Sequence, residues 1–207
     1  MFSIFTISPS PIFQSPPSTQ QSPQPPASNP SNKPTNPSNL VYYPQCDGNY
    51  DNLAMGSCTF CKSGCGIATA SMILSSYVDK SFTPDATLKL YQQQGLEADC
   101  NGSSIFDAKQ ILSEKGVLTS DVIYYNEQKS DVVAQDLKNY TDAGWTIFML
   151  GEYCASGCKH FFWITNVDGN NNIWAYDPYY GRYQIPFKEN SYYPYPLYKI
   201  AFAVKKE

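Results

Sequence analysis

The sequence predicts an α+β fold in which N-terminal helices pack on a C-terminal antiparallel β-sheet. Two observations support this prediction. Residues 65–144 contain four segments with helical periodicity or helix-capping residues, whereas the segments from Trp145 onward are short, aromatic and β-branched. A run of helices followed by a run of strands is typical of the α+β class.

Composition divides the 207-residue chain into two parts. Residues 1–40 hold ten of the sixteen prolines, many Ser, Asn and Gln, and a single charged side chain, Lys33. Such a segment buries too little apolar surface to offset its ordering entropy, so we expect a disordered arm or stalk. Residues 41–207 are long enough for one domain with a substantial core.

Charge argues against a nucleic-acid partner, and hydropathy argues against a transmembrane helix. Residues 41–207 carry 13 Lys and Arg against 18 Asp and Glu, a formal charge of −5, without a basic stripe. Nucleic-acid binding requires clustered positive charge, so we expect no nucleic-acid partner. No apolar run reaches about 18 residues, the length of a transmembrane helix. We expect a monomer that requires no cofactor.

The N-terminal arm favours an extracytoplasmic location. The opening residues "MFSIFTIS" are shorter than a secretory signal and lack its basic start. A Pro/Ser/Gln-rich arm ahead of a cysteine-rich domain is nevertheless typical of a stalk. We therefore expect an exported or surface-tethered protein, with the arm as the tether to a membrane or cell surface.

Four helices are predicted in order. The segment "CGIATASMILSSY" (65–77) places apolar residues on a core-facing side. The next two have clear boundaries: Thr83 caps a helix that starts at Pro84 and stops at Gly95, and Ser104 opens one that ends at Gly116. The fourth runs from Ser130 to Gly144.

Five strands are predicted after the helices, because each segment is short, aromatic or β-branched and bounded by turn residues. They are "WTIFMLGE" (145–152), "HFFWITNV" (160–167), "NIWAY" (172–176), "RYQIPF" (182–187) and "YKIAFAVKK" (198–206).

Seven cysteines lie between positions 46 and 158, so one thiol is left over if the others pair. Six paired cysteines allow 15 connectivities, among which the sequence does not choose. A zinc site is an alternative, because the short spacings of Cys58 with Cys61 and of Cys154 with Cys158 suit tetrahedral thiolate coordination. Reduced thiols are the third possibility.

The chain has a single histidine, His160, and a turn signal predicts its partner. Asp168-Gly169 suits a two-residue type I′ hairpin. That turn would pair Val167 with Asn170 and set His160 directly opposite Asp177. Opposed residues on one face have Cβ atoms about 5 Å apart, close enough for a carboxylate to accept a hydrogen bond from an imidazole N–H.

A histidine oriented by an aspartate is two thirds of a nucleophilic triad. Cys65 is the candidate nucleophile because it lies between two glycines at the start of the first core helix. Unpaired N–H groups and the helix dipole favour a thiolate there, and small neighbours allow a substrate backbone to approach.

The order Cys65, His160, Asp177 resembles that of papain-like cysteine peptidases. More narrowly, "GCG" before a "MIL" helix, then "HFFWITNVDG" and "WAYDP", resembles the bacteriocin-processing (double-glycine leader) peptidases and their stand-alone relatives, from about Tyr42 to Pro186. The resemblance implies a papain-like fold and an enzyme that cleaves peptide bonds in a peptide or protein. Cys65 would be the nucleophile, His160 the general base and acid, and Asp177 the orienting residue.

The same resemblance implies that Gln45, in "VYYPQCD", helps stabilise the oxyanion together with the backbone N–H of Cys65. Two features depart from the family pattern. Lys159 precedes the histidine where a small residue is usual, and the Cys154/Cys158 loop comes just before it. Tyr42, Tyr153 and Tyr179 are candidate cleft walls.

Each candidate also has a structural interpretation. His160 is compatible with a structural histidine, Asp177 with a turn residue before proline, Cys65 with a small buried residue, and Gln45 with a surface side chain. Beside the cysteine peptidase, the sequence therefore supports an alternative function, a catalytically inactive module that binds a peptide or wall fragment on a flexible stalk.

Overall fold

The computed structural model describes residues 40–46, 48–152, 158–184 and 197–207. Within these ranges, helices and an antiparallel sheet form an α+β fold, which confirms the predicted class. The predicted strand residues 185–187 and most of the N-terminal arm lie outside the described residues. Leu40, which the sequence prediction assigned to the arm, packs against the core.

The helices begin and end close to the predicted residues. They are α1 (Phe60–Ser63), α2 (Cys65–Tyr77), α3 (Pro84–Gln94), α4 (Ile105–Glu114) and α5 (Ser130–Asp142). Thr83 Oγ1 accepts a hydrogen bond from the N–H of Ala86, and Ser104 Oγ accepts one from the N–H of Phe106. The predicted N-caps of α3 and α4 are thus confirmed, because each hydroxyl satisfies an otherwise unpaired donor.

The strands are β1 (Ala54–Met55), β2 (Cys58–Thr59), β3 (Leu118–Lys129), β4 (Thr146–Glu152), β5 (Lys159–Val167), β6 (Ile173–Asp177), β7 (Gly181–Gln184) and β8 (Leu197–Lys205). Among the described residues, β1 and β2 form a small hairpin, and the other six form one antiparallel sheet in the order β3-β8-β4-β5-β6-β7.

Strand β3 was missed in the sequence, and its irregularity explains why. Its register against β8 shifts twice, and Asn126 and Glu127 within it have positive φ angles of 52° and 64°. These shifts break the period-two alternation by which a strand is recognised. A single bulge can hide an edge strand in this way, because the side chains on either side of it change face.

The sheet separates two apolar layers. Phe148, Phe161 and Trp163 belong to the layer that contains the buried residues of α2, α3 and α4. Met149 and Phe162 belong to the layer on the opposite face, which also contains the buried side of α5. Because alternate strand residues face opposite layers, the packing of β4 and β5 fixes which side chains meet α2.

The β5–β6 hairpin differs from the predicted two-residue turn. Asn171 N donates to Asp168 O, and Asn171 has a φ of 59°, which gives a type I turn followed by a left-handed residue. Gly169 is therefore not the residue with positive φ. A further irregularity at Thr165 separates the pairs Ile164↔Ala175 and Asn166↔Trp174.

Asp168 organises this longer turn. Its Oδ1 accepts from the N–H groups of Asn170 and Asn172, and its Oδ2 accepts from Asn172 Nδ2 and Trp174 Nε1. Partial burial opposes ionisation, but these donors hold the pKa of Asp168 below its usual range. An aspartate with a depressed folded pKa contributes stability that is present above its unfolded pKa and is lost as the pH falls through the folded pKa.

We predict that Asp168→Asn lowers the free energy of unfolding by about 1–2 kcal/mol at pH 7, because charge-assisted hydrogen bonds become neutral or are lost. The difference from the wild type should shrink below about pH 4, near the ordinary pKa of aspartate. Urea unfolding at both pH values measures it. Asp121→Asn, at an exposed position in β3, is the control, and an equal loss in that variant would contradict the role of Asp168.

Candidate active site

Cys65 is the first residue of α2 and the free cysteine among the described residues. It is half-buried. Thr69, one turn later, places Oγ1 2.8 Å from the carbonyl oxygen of Cys65 and 3.3 Å from that of Phe161. This hydroxyl ties the first turn of α2 to strand β5, and nothing in the sequence pattern singled it out.

The sheet opens where α2 meets it. The described pairing of β5 with β6 starts at Trp163↔Tyr176, so Phe161 has no partner on β6. The main chain of Phe161 instead faces α2, with its N–H hydrogen-bonded to the sulfur of Cys65 and its carbonyl near Thr69. The start of α2 thus takes the place that the next residues of β6 would occupy.

His160 and Asp177 meet beside this opening. The Nε2–H of His160 donates to Asp177 Oδ1 at 3.0 Å, and both residues are buried. Asp177 Oδ1 also accepts from the N–H groups of Tyr179 and Tyr180, at 2.8 and 2.9 Å. Three donors on one carboxylate oxygen fix its position, and Nε2 is thereby held toward Asp177.

The contact between His160 and Asp177 is present, but the register that predicted it is wrong. The observed pair Trp163↔Tyr176 extends to place His160 across from Tyr179, which makes His160 and Asp177 diagonal neighbours. Diagonal positions are about 7–8 Å apart, within reach of a histidine and an aspartate. The longer turn and the irregularity at Thr165 together moved the register away from the two-residue-turn prediction.

The second ring nitrogen of His160 faces the sulfur of Cys65. Cys65 and His160 are hydrogen-bonded through their side chains, and since Nε2 is engaged by Asp177, Nδ1 is the nitrogen that faces the sulfur. The imidazole of His160 therefore lies between the side chains of Cys65 and Asp177. A ring that bridges a thiol and a carboxylate in this way can pass a proton at one nitrogen while the other fixes its orientation.

The electrostatics of the pair favour an ionised state. Burial opposes protonation of His160, but the charge and hydrogen bond of Asp177, with a smaller contribution from Cys65, raise its pKa to about 10. Burial likewise raises the pKa of the Cys65 thiol. The hydrogen bond and charge of His160 and the N–H groups of Phe161 and Gly66 outweigh burial, so this pKa lies below its ordinary value. Both shifts favour the same charged pair, a thiolate of Cys65 facing an imidazolium of His160.

Gln45 is hydrogen-bonded both to the residue that follows Asp177 and to the helix that precedes Cys65. Its backbone N–H donates to Pro178 O at 2.6 Å, next to Asp177, and its side-chain Nε2 donates to Cys61 O at 2.7 Å, four residues before Cys65. The residue is buried, so the alternative interpretation of Gln45 as a surface side chain does not hold. Its Oε1 has no hydrogen-bond partner within the described part of the chain.

The disulfides border the same region. Cys46 pairs with Cys61 and Cys58 pairs with Cys100, while Cys158 is also disulfide-bonded. Cys58 and Cys61, which are close in the sequence, are therefore each bonded to a different cysteine. Neither residue offers a thiolate for the zinc alternative, whose fourth proposed ligand, Cys154, lies outside the described residues.

Two of the candidate wall residues contact the site. Tyr42 Oη donates to the carbonyl oxygen of Asp177 at 2.9 Å, and the half-exposed ring of Tyr179 meets His160 edge-on with centroids 6.4 Å apart. Both rings restrict the space around the imidazole. Tyr153, the third candidate, lies outside the described residues.

Gly66 is required by close approach. A Cβ at this position would lie 2.1 Å from Ser103 Oγ and 3.0 Å from the ring of Phe161. Ser103 Oγ is itself buried and has no hydrogen-bond partner among the described residues. The glycine therefore lets the segment around Ser103 and strand β5 both pack against the start of α2.

A scan against protein-family models found no family that matches this chain, and a search of curated proteins found no significant match.

We predict that alkylation of Cys65 by iodoacetamide reaches its half-maximal rate at a pH below the ordinary thiol pKa of about 8.5, because His160 lowers the pKa of this thiol. His160→Gln should shift the half-maximal rate upward by at least one pH unit. Mass spectrometry of the peptide that contains Cys65 measures the rate, with Cys65→Ser as the blank. Identical pH profiles for the wild type and His160→Gln would refute the coupling.

We also predict that Gly66→Ala destabilises the fold by about 1–3 kcal/mol, a typical effect of overpacking, and slows alkylation of Cys65. Ser103→Ala removes the nearest clashing atom, so the double variant Gly66→Ala/Ser103→Ala should recover part of both losses. Thermal unfolding and the alkylation rate are the measurements. A double variant no better than Gly66→Ala would show that Ser103 is not the obstacle.

Proposed function

We propose that this protein is a thiol hydrolase of papain-like fold that cleaves peptide bonds. The observation that carries the proposal is the single imidazole of His160, which hydrogen-bonds Cys65 at a helix start while Asp177 holds its other nitrogen. The α+β architecture, with the first core helix set against an antiparallel sheet, supports the papain-like arrangement.

In the first half of the reaction, the thiolate of Cys65 attacks the carbonyl carbon of the scissile amide, and a C–S bond forms. The carbonyl oxygen becomes an oxyanion. His160 then donates its Nδ1 proton to the amide nitrogen, the C–N bond breaks, and the amine leaves. Asp177 keeps the ring oriented and stabilises its positive charge during this transfer.

The second half consumes one water molecule. Neutral His160 accepts a proton from water, the resulting hydroxide oxygen attacks the thioester carbon, and the C–S bond breaks. The products are a carboxylic acid and the regenerated thiolate–imidazolium pair. The net reaction is amide plus water giving acid plus amine, and the steps described require no cofactor.

Two donors are available for the oxyanion. Cys65 is the first residue of α2, so its backbone N–H belongs to the set that has no partner within the helix. The side-chain amide of Gln45 has two N–H bonds, of which one is used on Cys61 O, and the second is the proposed donor. The hydrogen bond from the backbone N–H of Gln45 to the carbonyl oxygen of Pro178 keeps this amide close to the catalytic residues.

The disulfides support an extracytoplasmic location. Disulfides persist in oxidising compartments and are rare in the cytosol. No helix among the described residues combines the length and apolarity needed to cross a bilayer. We infer that the domain acts in an oxidising environment, with the N-terminal arm as its tether.

We predict that diverse fluorogenic peptides are cleaved and that Cys65→Ala abolishes cleavage. Gln45→Ala should lower kcat by about 100–1,000-fold, the usual cost of one oxyanion donor, while Cys65 alkylation changes by less than about threefold.

The pH profile of kcat/KM should rise with thiolate formation below pH 8.5 and fall near pH 10, as His160 loses the proton that it must donate.

The same measurements separate the two functions considered for this chain. Peptide binding without turnover, together with alkylation that does not depend on His160, would replace the hydrolase with the binding module. Circular dichroism of each variant shows whether a loss of activity reflects unfolding.

A further inference from the structure

The Cys46–Cys61 disulfide lies directly beside the proposed oxyanion donors. Cys46 follows Gln45 in the chain, and the carbonyl oxygen of Cys61 accepts the hydrogen bond from Gln45 Nε2 at 2.7 Å. The sulfur of Cys46 lies 3.2 Å from the same carbonyl oxygen. One covalent bond therefore links the neighbour of the oxyanion donor to the residue that orients this donor.

The contact between Gln45 and Cys61 also concerns the second oxyanion donor, the backbone N–H of Cys65. In a continuous helix, the carbonyl oxygen of Cys61 would accept from this N–H, four residues later. Gly64 interrupts the helix between them, and within the described part of the chain Cys61 O accepts from Gln45 Nε2 and not from the N–H of Cys65. The N–H of Cys65 is thereby left available for the oxyanion.

The segment that carries Gln45 has little regular structure to hold it. Residues 40–46 and 48–53 contain no helix or strand. Gln45 itself is held by its backbone hydrogen bond to Pro178 O and by its side-chain hydrogen bond to Cys61 O. Helix α1, which carries Cys61, is a single turn of four residues, so its position depends on contacts outside the helix. The disulfide is one such contact and restrains both partners of the side-chain hydrogen bond.

The Cys46–Cys61 bond is open to reduction, because both residues are only half-buried. A dithiol transfers two electrons to the bond and closes into its own disulfide, while the S–S bond of the protein breaks and each sulfur takes up one proton. The thiolate of Cys65 does not depend on this bond. Its stabilising contacts come from His160 and from the N–H groups of Phe161 and Gly66.

We propose that the Cys46–Cys61 disulfide switches the hydrolase on. The bond holds Gln45 against Cys61 and keeps both oxyanion donors in place, whereas the contact between Cys65 and His160 forms in either redox state. The chain would therefore turn over slowly in a reducing cytosol and become fully active in an oxidising compartment. This inference rests on the proposed function, because the oxyanion donors belong to that reaction.

Replacement of both sulfurs tests the switch directly. Cys46→Ser/Cys61→Ser should lower kcat for the fluorogenic peptides by at least about tenfold, within the cost of losing an oxyanion donor, and change KM by less than about threefold. Alkylation of Cys65 should change by less than about threefold, because its thiolate keeps its partners. An unchanged kcat, or a loss of alkylation equal to the loss of kcat, would overturn the proposal.

The Gln45→Ala variant shows whether the disulfide acts through Gln45. In this background, Cys46→Ser/Cys61→Ser should lower kcat by less than about threefold further, because groups that act as a unit have strongly non-additive effects. If the two losses multiplied in full, the disulfide would act by a route that does not involve Gln45, contrary to the proposal.

Cys58→Ser/Cys100→Ser is the matched control. The Cys58–Cys100 bond closes a sequence separation of 42 residues against 15 for Cys46–Cys61, so its removal should lower the thermal unfolding midpoint at least as much. Gln45 is hydrogen-bonded to Cys61 and not to this bond, so kcat should stay within about threefold of the wild-type value. An equal loss of kcat in both double variants would mean that the disulfides act through stability alone.

Reduction of the wild type by dithiothreitol should reproduce the loss of kcat seen in Cys46→Ser/Cys61→Ser, and reoxidation should restore the activity. The disulfide of Cys158, two residues before His160, is exposed to the same reagent. The double variant separates the two, since it should lose less than about threefold on this treatment if Cys46–Cys61 is the switch. Equal sensitivity of the wild type and the double variant would refute the assignment.

Circular dichroism of each protein completes the test. An unfolded Cys46→Ser/Cys61→Ser variant would make the bond a requirement for folding rather than a switch, and the proposal would fail. The outcomes remain separable from those for the proposed function. Absent cleavage together with His160-independent alkylation of Cys65 overturns both, whereas cleavage that is insensitive to loss of the Cys46–Cys61 bond overturns the switch alone.

Discussion

The candidate site depends on the main chain of Phe161, which faces α2 instead of a neighbouring strand. A buried N–H and C=O must find partners, and β6 does not supply them because its described pairing with β5 stops at Trp163. Cys65 and Thr69 supply them from the first turn of α2. The contacts that position Cys65 are therefore the same contacts that provide partners for the main chain of Phe161. This explains how a half-buried thiol comes to lie against a histidine.

The region before α2 is held by disulfides as well as by packing. Residues 40–64 contain only a short helix and two two-residue strands, although Met55 and Phe60 are buried in the core. The Cys46–Cys61 and Cys58–Cys100 disulfides close sequence separations of 15 and 42 residues. In the chain-entropy model such loops are worth about 3–4 kcal/mol each. The Cys46–Cys61 disulfide also positions Gln45. Cys46 is the next residue in the chain, and the carbonyl oxygen of Cys61 accepts a hydrogen bond from the Gln45 side chain.

Some site residues could be found from the sequence, although for reasons that were partly wrong. Asp177 was selected because a two-residue turn would set it directly opposite His160, yet the loop is longer and Thr165 interrupts the register. The contact survives because a diagonal pair still lies within reach of these two side chains. Asp168 provided the turn signal, but its side chain stabilises a wider loop through Asn170, Asn172 and Trp174.

Other features had no local signal. Strand β3 carries two register shifts, so its alternation is interrupted where an edge strand would otherwise be recognised. Thr69 resembles any other small residue of a buried helix until Phe161 is placed beside it.

The sequence by itself determined the approximate bounds of α2 to α5, the strand character of the segments after Trp145 and the residue types available for catalysis. These properties follow from caps, glycine stops and apolar periodicity, all of which act over a few residues. Only the tertiary structure decided that Cys65 meets His160 and that Gln45 lies between Cys61 and Pro178. Those contacts join distant segments through the opening between β5 and β6, and such an opening is set by packing and backbone hydrogen bonding across the whole sheet.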